Sequence, residues 1–297
     1  MKSPTRKPRN IAVVWHGSIE DAETVAREIA AAIETDSSGR VSAERYPLHD
    51  EAFRARLKRY TYDLVITLGG DGTMLRTGRL CAPLKVPICG VNLGSFGFMM
   101  ELPKNGWREA IPALIDGKFR IETRMMIHVD VIRPTGLTIS RDVLNDAVIA
   151  RGLDVRPVRT VVRVNGNFLT EYVSDGLIAS TATGSTAYAM AVGGPIIEPE
   201  MRTILLIPIA PHLSLNHGLI LQPHDVIECT CRSRDVTVLS LDGGPSIQVA
   251  EEDKIRITAS DDSAYFVRIS SDGFFYRNFI QYMQRNPSAV QSRTPPA

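Results

Sequence analysis

The chain has 297 residues, 44% hydrophobic and 23% charged, with a formal net charge of +1. That length holds one large domain or two ordinary ones, and the composition is that of a soluble globular protein. Acidic and basic residues balance, which argues against a nucleic-acid or other polyanion-binding surface, and no apolar run approaches membrane-spanning length.

Residues 1–10 are polar and basic, and the apolar run that follows, Ile11–Trp15, is too short for a signal-peptide core. It reads as a strand. Ser18, with Asp21 three residues on, reads as a helix cap, and Ile19, Ala22, Val25, Ala26, Ile29 and Ile33 follow at helical spacing until Ser37-Ser38-Gly39. Val41–Tyr46 reads as a second strand, Glu51–Lys58 as a second helix, and Leu64–Leu68, continuous and branched, as a buried strand. A glycine-rich turn, Gly69-Gly70-Asp71-Gly72-Thr73, leads into a short helix ending before Pro83, and Val86–Val91 is a fourth strand. Strands alternating with helices indicate a doubly wound α/β domain, whose ligands sit beyond the carboxyl ends of the strands.

Beyond Leu102 the pattern changes. One helix, Trp107–Ile115, precedes a long series of short alternating runs, among them Met125–Ile132, Val143–Ala150, Val158–Val164, Phe168–Val173, Gly176–Ala179, Val226–Cys231 and Val236–Leu241. Asn165-Gly166 suits a tight hairpin, and the whole reads as an all-β sandwich. Phe274–Gln284 reads as a closing helix that packs back on the first domain, and the chain from Pro287 as a disordered tail. Cys81, Cys89, Cys229 and Cys231 form no C-x-x-C pair; Cys229 and Cys231 share one strand face and read as core, which fits a reduced, cytoplasmic protein.

The turn at Gly69–Thr73 brings bare backbone and a helix start toward an anion, yet it carries a carboxylate that would repel phosphate. It is neither a P-loop, having no lysine, nor a dinucleotide fingerprint, since Leu75 stands where the third glycine belongs. Asp71 then caps the helix, holds a metal riding on phosphates, or takes a proton from an attacking hydroxyl. Gly90–Phe98 is a second glycine-rich strand end, a linker or a ligand contact. Asn145-Asp146 is a polar pair inside a β run, either a turn or a grip on ribose hydroxyls or an adenine edge. In Asp175–Tyr188 several hydroxyl residues surround Gly184, more than one helix cap needs, and the surplus suits a nucleotide's phosphates and ribose. His212 alone reads as a structural histidine, and Asp242-Gly243 as a turn.

Taken in order, these blocks resemble the NAD kinases. Gly69-Gly70-Asp71-Gly72-Thr73 alone is shared with diacylglycerol and sphingosine kinases and is related to the phosphofructokinase turn. The specificity comes from its succession by Asn92-x-Gly94-x-x-Gly97-Phe98 and by Asp175-Gly176 leading to Thr183-Gly184-Ser185-Thr186-Ala187-Tyr188. The resemblance implies that Asp71 deprotonates the adenosine-ribose 2′-hydroxyl of NAD for attack on the γ-phosphate of ATP. It implies that Gly69, Gly70, Gly72, Thr73 and Mg²⁺ hold the phosphates, with Arg76 reaching ATP. Asn145 and Asp146 would grip adenosine, and Thr183, Thr186, Ala187 and Tyr188 would line the dinucleotide pocket. Asp175 would lie near nicotinamide, and His212 is carried to the substrate side. It also implies an α/β phosphate-donor domain over residues 1–102 and 271–286, and a β-sandwich over 103–270 that binds NAD and builds dimers or tetramers, with a tail over 287–297. This chain departs from the family at Asp146 (usually Glu), Ala182 (Pro), Phe96 (Leu) and Gly244 (Gln), and in Asn216-His217-Gly218 after His212. These departures bear on the acceptor. The rival reading is another kinase with this turn, acting on a different nucleoside or on a lipid alcohol, the Thr183–Tyr188 block arguing against lipid; a non-catalytic NAD sensor is the third.

Overall fold

The computed structural model describes residues 7–59, 62–94, 97–153, 156–212, 215–233, 236–269, 275–276 and 279. The chain divides into two compact units, residues 1–123 with 265–297, and residues 124–264.

The first unit opens with β1 (Asn10–Trp15), α1 (Ala22–Asp36), β2 (Ser42–Pro47), α2 (Glu51–Arg59), β3 (Leu64–Gly69), α3 (Asp71–Cys81) and β4 (Ile88–Asn92). β5 (Leu102–Pro103) and α4 (Trp107–Ile115) follow. The strands pair in parallel in the order β2-β1-β3-β4. β3 is buried along its whole length, as a strand covered on both faces must be. Val25, Ala26, Ile29 and Ile33 of α1 and Ile111 and Leu114 of α4 join Ile11, Ile66, Cys89 and Val91 in one core cluster. The register sets Gly69 opposite Asn92, so the two glycine-rich turns leave the sheet side by side, and Leu93 N–H donates to Gly69 O at 3.0 Å. Ser18 does not cap α1. A turn through His16 and Ile19 intervenes, His16 Nδ1 takes the Ser18 N–H, and the helix starts after Asp21 in the left-handed region (φ 63°) without a side-chain cap.

β6 (Arg120–Ile132) and a last strand, β17 (Lys254–Arg268), contribute residues to both units; Phe266 of β17 pairs in parallel with Ile88. The second unit adds β7 (Thr138–Val143), β8 (Asp146–Arg151), β9 (Val158–Val164), β10 (Asn167–Ser174), β11 (Gly176–Thr181), α5 (Tyr188–Ala191), β12 (Ile204–Ile209), β13 (Leu219–Leu221), β14 (Ile227–Arg232), β15 (Thr237–Leu241) and β16 (Ile247–Val249). One antiparallel layer runs β13-β12-β11-β8-β15-β16, and β10-β9-β14-β17 forms the other, with β6 paired to β7 and β17. The core is built from alternate residues of both layers: Val162, Ile227 and Ile255 from one, Ile149, Leu177, Leu206 and Leu239 from the other. The expected β9–β10 hairpin closes through Asn165 and Gly166 at φ 52° and 79°, the pair of positive angles a type I′ turn requires. Cys229 and Cys231 are buried in this core, and Cys81 and Cys89 are also buried and unbridged. Only Phe275, Tyr276 and Phe279 of the expected closing helix are described, all three helical; the rest of it and the expected tail lie outside the described residues. No described helix is long and apolar enough to cross a membrane.

Candidate active site

In the first unit the chain leaves β3 at Gly69, passes through extended Gly70 (φ −119°, ψ −171°), and enters α3 at Asp71. A Cβ on Gly69 would lie 2.7 Å from Thr73 Cβ, so only glycine lets the strand end fold this tightly over the first helical turn. Thr73 is thereby buried beneath the turn, while Gly72 is exposed. Asp71 is not the cap; Gly70 holds that place. The Asp71 carboxylate instead reaches the second glycine-rich turn. Oδ2 accepts the Phe98 N–H at 2.8 Å and Oδ1 the Met99 N–H at 3.0 Å. Gly97 makes the approach possible, because a Cβ there would stand 2.6 Å from Asp71 Cγ and 2.9 Å from Oδ2. Arg76, exposed one turn into α3, has Nη1 3.5 Å from His49 Nε2, and the His49 and His16 rings meet edge to face at 5.9 Å. Since arginine only donates, His49 Nε2 accepts there. Both histidines follow the carboxyl ends of β2 and β1, where a doubly wound sheet takes its ligands; no motif in the sequence singled them out.

In the second unit Asn145 and Asp146 form a sharp break rather than a continuous run, since β7 stops at Val143 and β8 starts at Asp146. Asp242, which alone read as a turn, is the cause. Its carboxylate accepts the N–H groups of Leu144, Asn145 and Asp146 at 3.0, 2.7 and 3.3 Å. It stands in the left-handed region (φ 51°), so a turn is there as well. Asp146 is buried; burial first, and then the Asp242 charge, push its carboxyl up to about 7. Asn145 Oδ1 is buried without a hydrogen-bond partner, a costly state for an acceptor.

The hydroxyl-rich segment behaves differently from the expectation built on its surplus. Ser180 Oγ and Thr181 Oγ1 donate to the carbonyls of Asn145 and Leu144, Ser185 Oγ to Ala182 O, and Thr186 Oγ1 to Thr183 O. Thr183 Oγ1 accepts from buried Arg124 Nη1 at 3.4 Å. These hydroxyls satisfy backbone carbonyls left over by a 3-10 turn, Thr183–Thr186, and by the break at Asn145. Gly184 fits only as glycine, a Cβ there lying 2.5 Å from Ser180 Oγ and closer still to Asn145 O. Ala187 follows the turn, and Tyr188, 45% exposed, starts α5.

Asn145, Asp146, Thr183, Gly184 and Asp242 are thus gathered at one end of the second unit's sheet. Asp175 and His212 are not among them. Asp175 precedes β11, a strand length of roughly 20 Å from Thr183; it is paired with Arg151 Nε at 3.3 Å. His212 has an exposed side chain, and its N–H donates to Val173 O at 2.7 Å.

Residues 20–119 match the ATP-NAD kinase N-terminal domain and residues 144–269 the ATP-NAD kinase C-terminal domain. An NAD kinase of Dehalococcoides mccartyi is 32% identical over 287 residues, 96% of this chain and 99% of that protein. One from Desulforamulus reducens is 39% identical over 214 residues, 72% and 74% of the two chains. Among solved structures, yeast NADH kinase complexed with NADH superposes with a TM-score of 0.80 at 22% identity, covering 97% of this chain and 93% of that one. An Archaeoglobus fulgidus NAD kinase in complex with ATP gives 0.72 at 23%, covering 93% and 100%. At those identities the superpositions speak for the fold, an α/β unit with a strand-rich sandwich. Both domain matches, and near-complete coverage by a relative of the same name, establish that this chain belongs to the NAD kinase family of phosphotransferases.

Proposed function

We propose that the chain transfers the γ-phosphate of ATP to the 2′-hydroxyl of the adenosine ribose of NAD, making NADP, with Asp71 as the base. The observation that carries this reading is a carboxylate at the head of an 11-residue helix, between two strand-end turns, in a chain matched over both family domains. Phosphoryl transfer asks a protein mainly for alignment and charge neutralisation. The Gly69–Gly72 backbone and the α3 terminus suit the donor's phosphates, as does Arg76, oriented by His49. The Phe98 and Met99 amides fix the direction of the Asp71 carboxylate, which in this reading meets the ribose hydroxyl. It accepts the proton as the P–O bond forms, an effect worth typically ~10²–10⁴-fold.

Among the described residues no group of three or more His, Cys, Asp or Glu side chains stands ready for a metal. In this reading Mg²⁺ arrives on the triphosphate, because Mg²⁺ leans on substrate phosphates and its own water, and Asp71 is the carboxylate at the turn. When bound, the ion neutralises charge on the phosphate oxygens. On the acceptor side, the unpaired Asn145 Oδ1 suits an amino donor such as adenine's, and Asp146 a ribose hydroxyl; Thr183, Thr186, Ala187 and Tyr188 are assigned to line the same dinucleotide pocket. Asp175, a strand length from Thr183, would lie toward the nicotinamide end of the dinucleotide, and the chain would assemble as a homodimer or homotetramer. Four buried, unbridged cysteines support a cytoplasmic setting.

A coupled assay with ATP and Mg²⁺ against NAD, NADH and free nucleosides tests the assignment. NADP formation with Asp71→Asn reduced at least about a hundredfold in turnover, at unchanged NAD affinity by calorimetry, is the expected result. Near-normal turnover of that variant removes Asp71 from the base role. Phosphorylation of a free nucleoside in preference to NAD overturns the substrate.

A further inference from the structure

The first unit contains a buried ionic cluster with no place in the chemistry above. Arg268, at the end of β17, is 1% exposed, Glu122 3% and Glu101 8%. The guanidinium grips Glu122 with both prongs, Nε to Oε2 and Nη2 to Oε1, each at 3.1 Å. Nη1 donates to Glu101 Oε2 at 3.3 Å and to the Met99 carbonyl at 3.1 Å. Glu101 is itself pinned: Oε1 accepts the Ile269 N–H at 2.8 Å, and its own N–H donates to Gly90 O at 3.1 Å. Arg120 adds a second cation, Nη2 to Glu122 Oε2 at 3.4 Å. Burying charges this way gains little stability over apolar packing, so what such a cluster supplies is geometry.

The geometry it supplies falls on Met99. That residue is held from two sides, its carbonyl by Arg268 and its N–H by Asp71 Oδ1. The preceding amide, Phe98 N–H, holds the other oxygen of Asp71. Segment 97–101 is therefore a short strap anchored at one end by the Arg268 cluster and at the other by the carboxylate. We propose that Arg268, braced by Glu122 and Glu101, is a positioning residue for Asp71, setting the direction of its carboxylate through the Phe98 and Met99 amides. The inference rests on the base role given to Asp71.

Arg268→Lys tests it, because lysine keeps the charge but cannot reach Glu122 and the Met99 carbonyl together. Glu122→Gln, nearly the same shape with one charge fewer, carries the same test should the lysine variant not fold. We expect kcat for NAD phosphorylation to fall about tenfold or more, since misplacement of a reacting group by 1 Å costs on the order of a hundredfold. KM for NAD and ATP should stay within twofold, and the Phe98 and Met99 amides should exchange with deuterium faster. The decisive arm is the cycle with Asp71→Asn: once the base is gone, disturbing Arg268 should cost no further turnover. A loss of equal factor in both backgrounds, or kcat unchanged in either single variant, overturns the inference and makes the cluster merely structural. If Asp71→Asn alone leaves turnover near normal, the base assignment fails first, a separate and recognisable result.

Discussion

Gly97→Ala is the sharpest perturbation of the site, because it adds one methyl and no charge. Gly97 is not in the left-handed region, so alanine meets no backbone strain there, and the whole effect comes from space. The new Cβ would stand 2.6 Å from Asp71 Cγ, whereas carbon atoms in contact prefer about 3.5–4.0 Å. The carboxylate must then retreat by roughly 1 Å, or the strap must lift by as much. Either way the bonds to Phe98 N–H (2.8 Å) and Met99 N–H (3.0 Å) are stretched beyond hydrogen-bond length. A misplacement of that size at a reacting group costs about a hundredfold in rate. The expected result is therefore kcat down by about two orders of magnitude, with KM for NAD little changed, since the acceptor contacts assigned to the second unit are untouched. Steady-state kinetics at saturating ATP and Mg²⁺, with NADP read by a coupled dehydrogenase, measures both. Turnover within threefold of the parent would show that the carboxylate needs neither the strap nor its present direction, and would refute the reasoning.

Two other sites yield predictions of the same kind. Burial raises the Asp146 carboxyl from 3.8 to about 7, so the folded chain holds a proton the unfolded chain loses; the stability it contributes is full below about pH 4 and lost as pH rises to about 7, a swing on the order of 4 kcal/mol. In urea unfolding across that range, Asp146→Asn should flatten this part of the pH profile, and an unaltered slope would count against the assignment. Gly184→Ala drives a methyl against Asn145 O and, at 2.5 Å, Ser180 Oγ. Backbone has little room to yield, so a loss of about 1–3 kcal/mol is expected, with KM for NAD raised; unchanged urea midpoint and KM would show that the Asn145 turn is slack.

Much of this protein is local and could be read residue by residue. Hydrophobic spacing marks β1, α1, β3 and the sandwich strands, because whether a face is buried depends on a period of 3.6 or 2. Asn165-Gly166 announces its hairpin for an equally local reason, the need for positive φ. The glycine-rich turn at Gly69–Thr73 could be located on the same grounds, as a strand-to-helix junction that tolerates no side chain. Ser18 misled, since a cap depends on where the chain turns, and His16 turns it first.

What escaped the sequence are partnerships across distance. Asp71 meets amides 27 and 28 residues on, Asp242 meets amides 96 to 98 residues back, and Arg268 reaches Glu122 across 146 positions. A carboxylate's or guanidinium's role is set by whichever donor or acceptor the fold brings within about 3 Å, and no spacing rule contains that information. The hydroxyls of 180–186 show the same limit: their number was visible, but whether they face a ligand or a stray carbonyl was decided by how β8 breaks and the 3-10 turn closes beside it. Residue order alone thus determined the elements and the family; tertiary structure decided which charged groups act on which backbone, since hydrogen bonds are short-ranged and only packing makes distant residues neighbours.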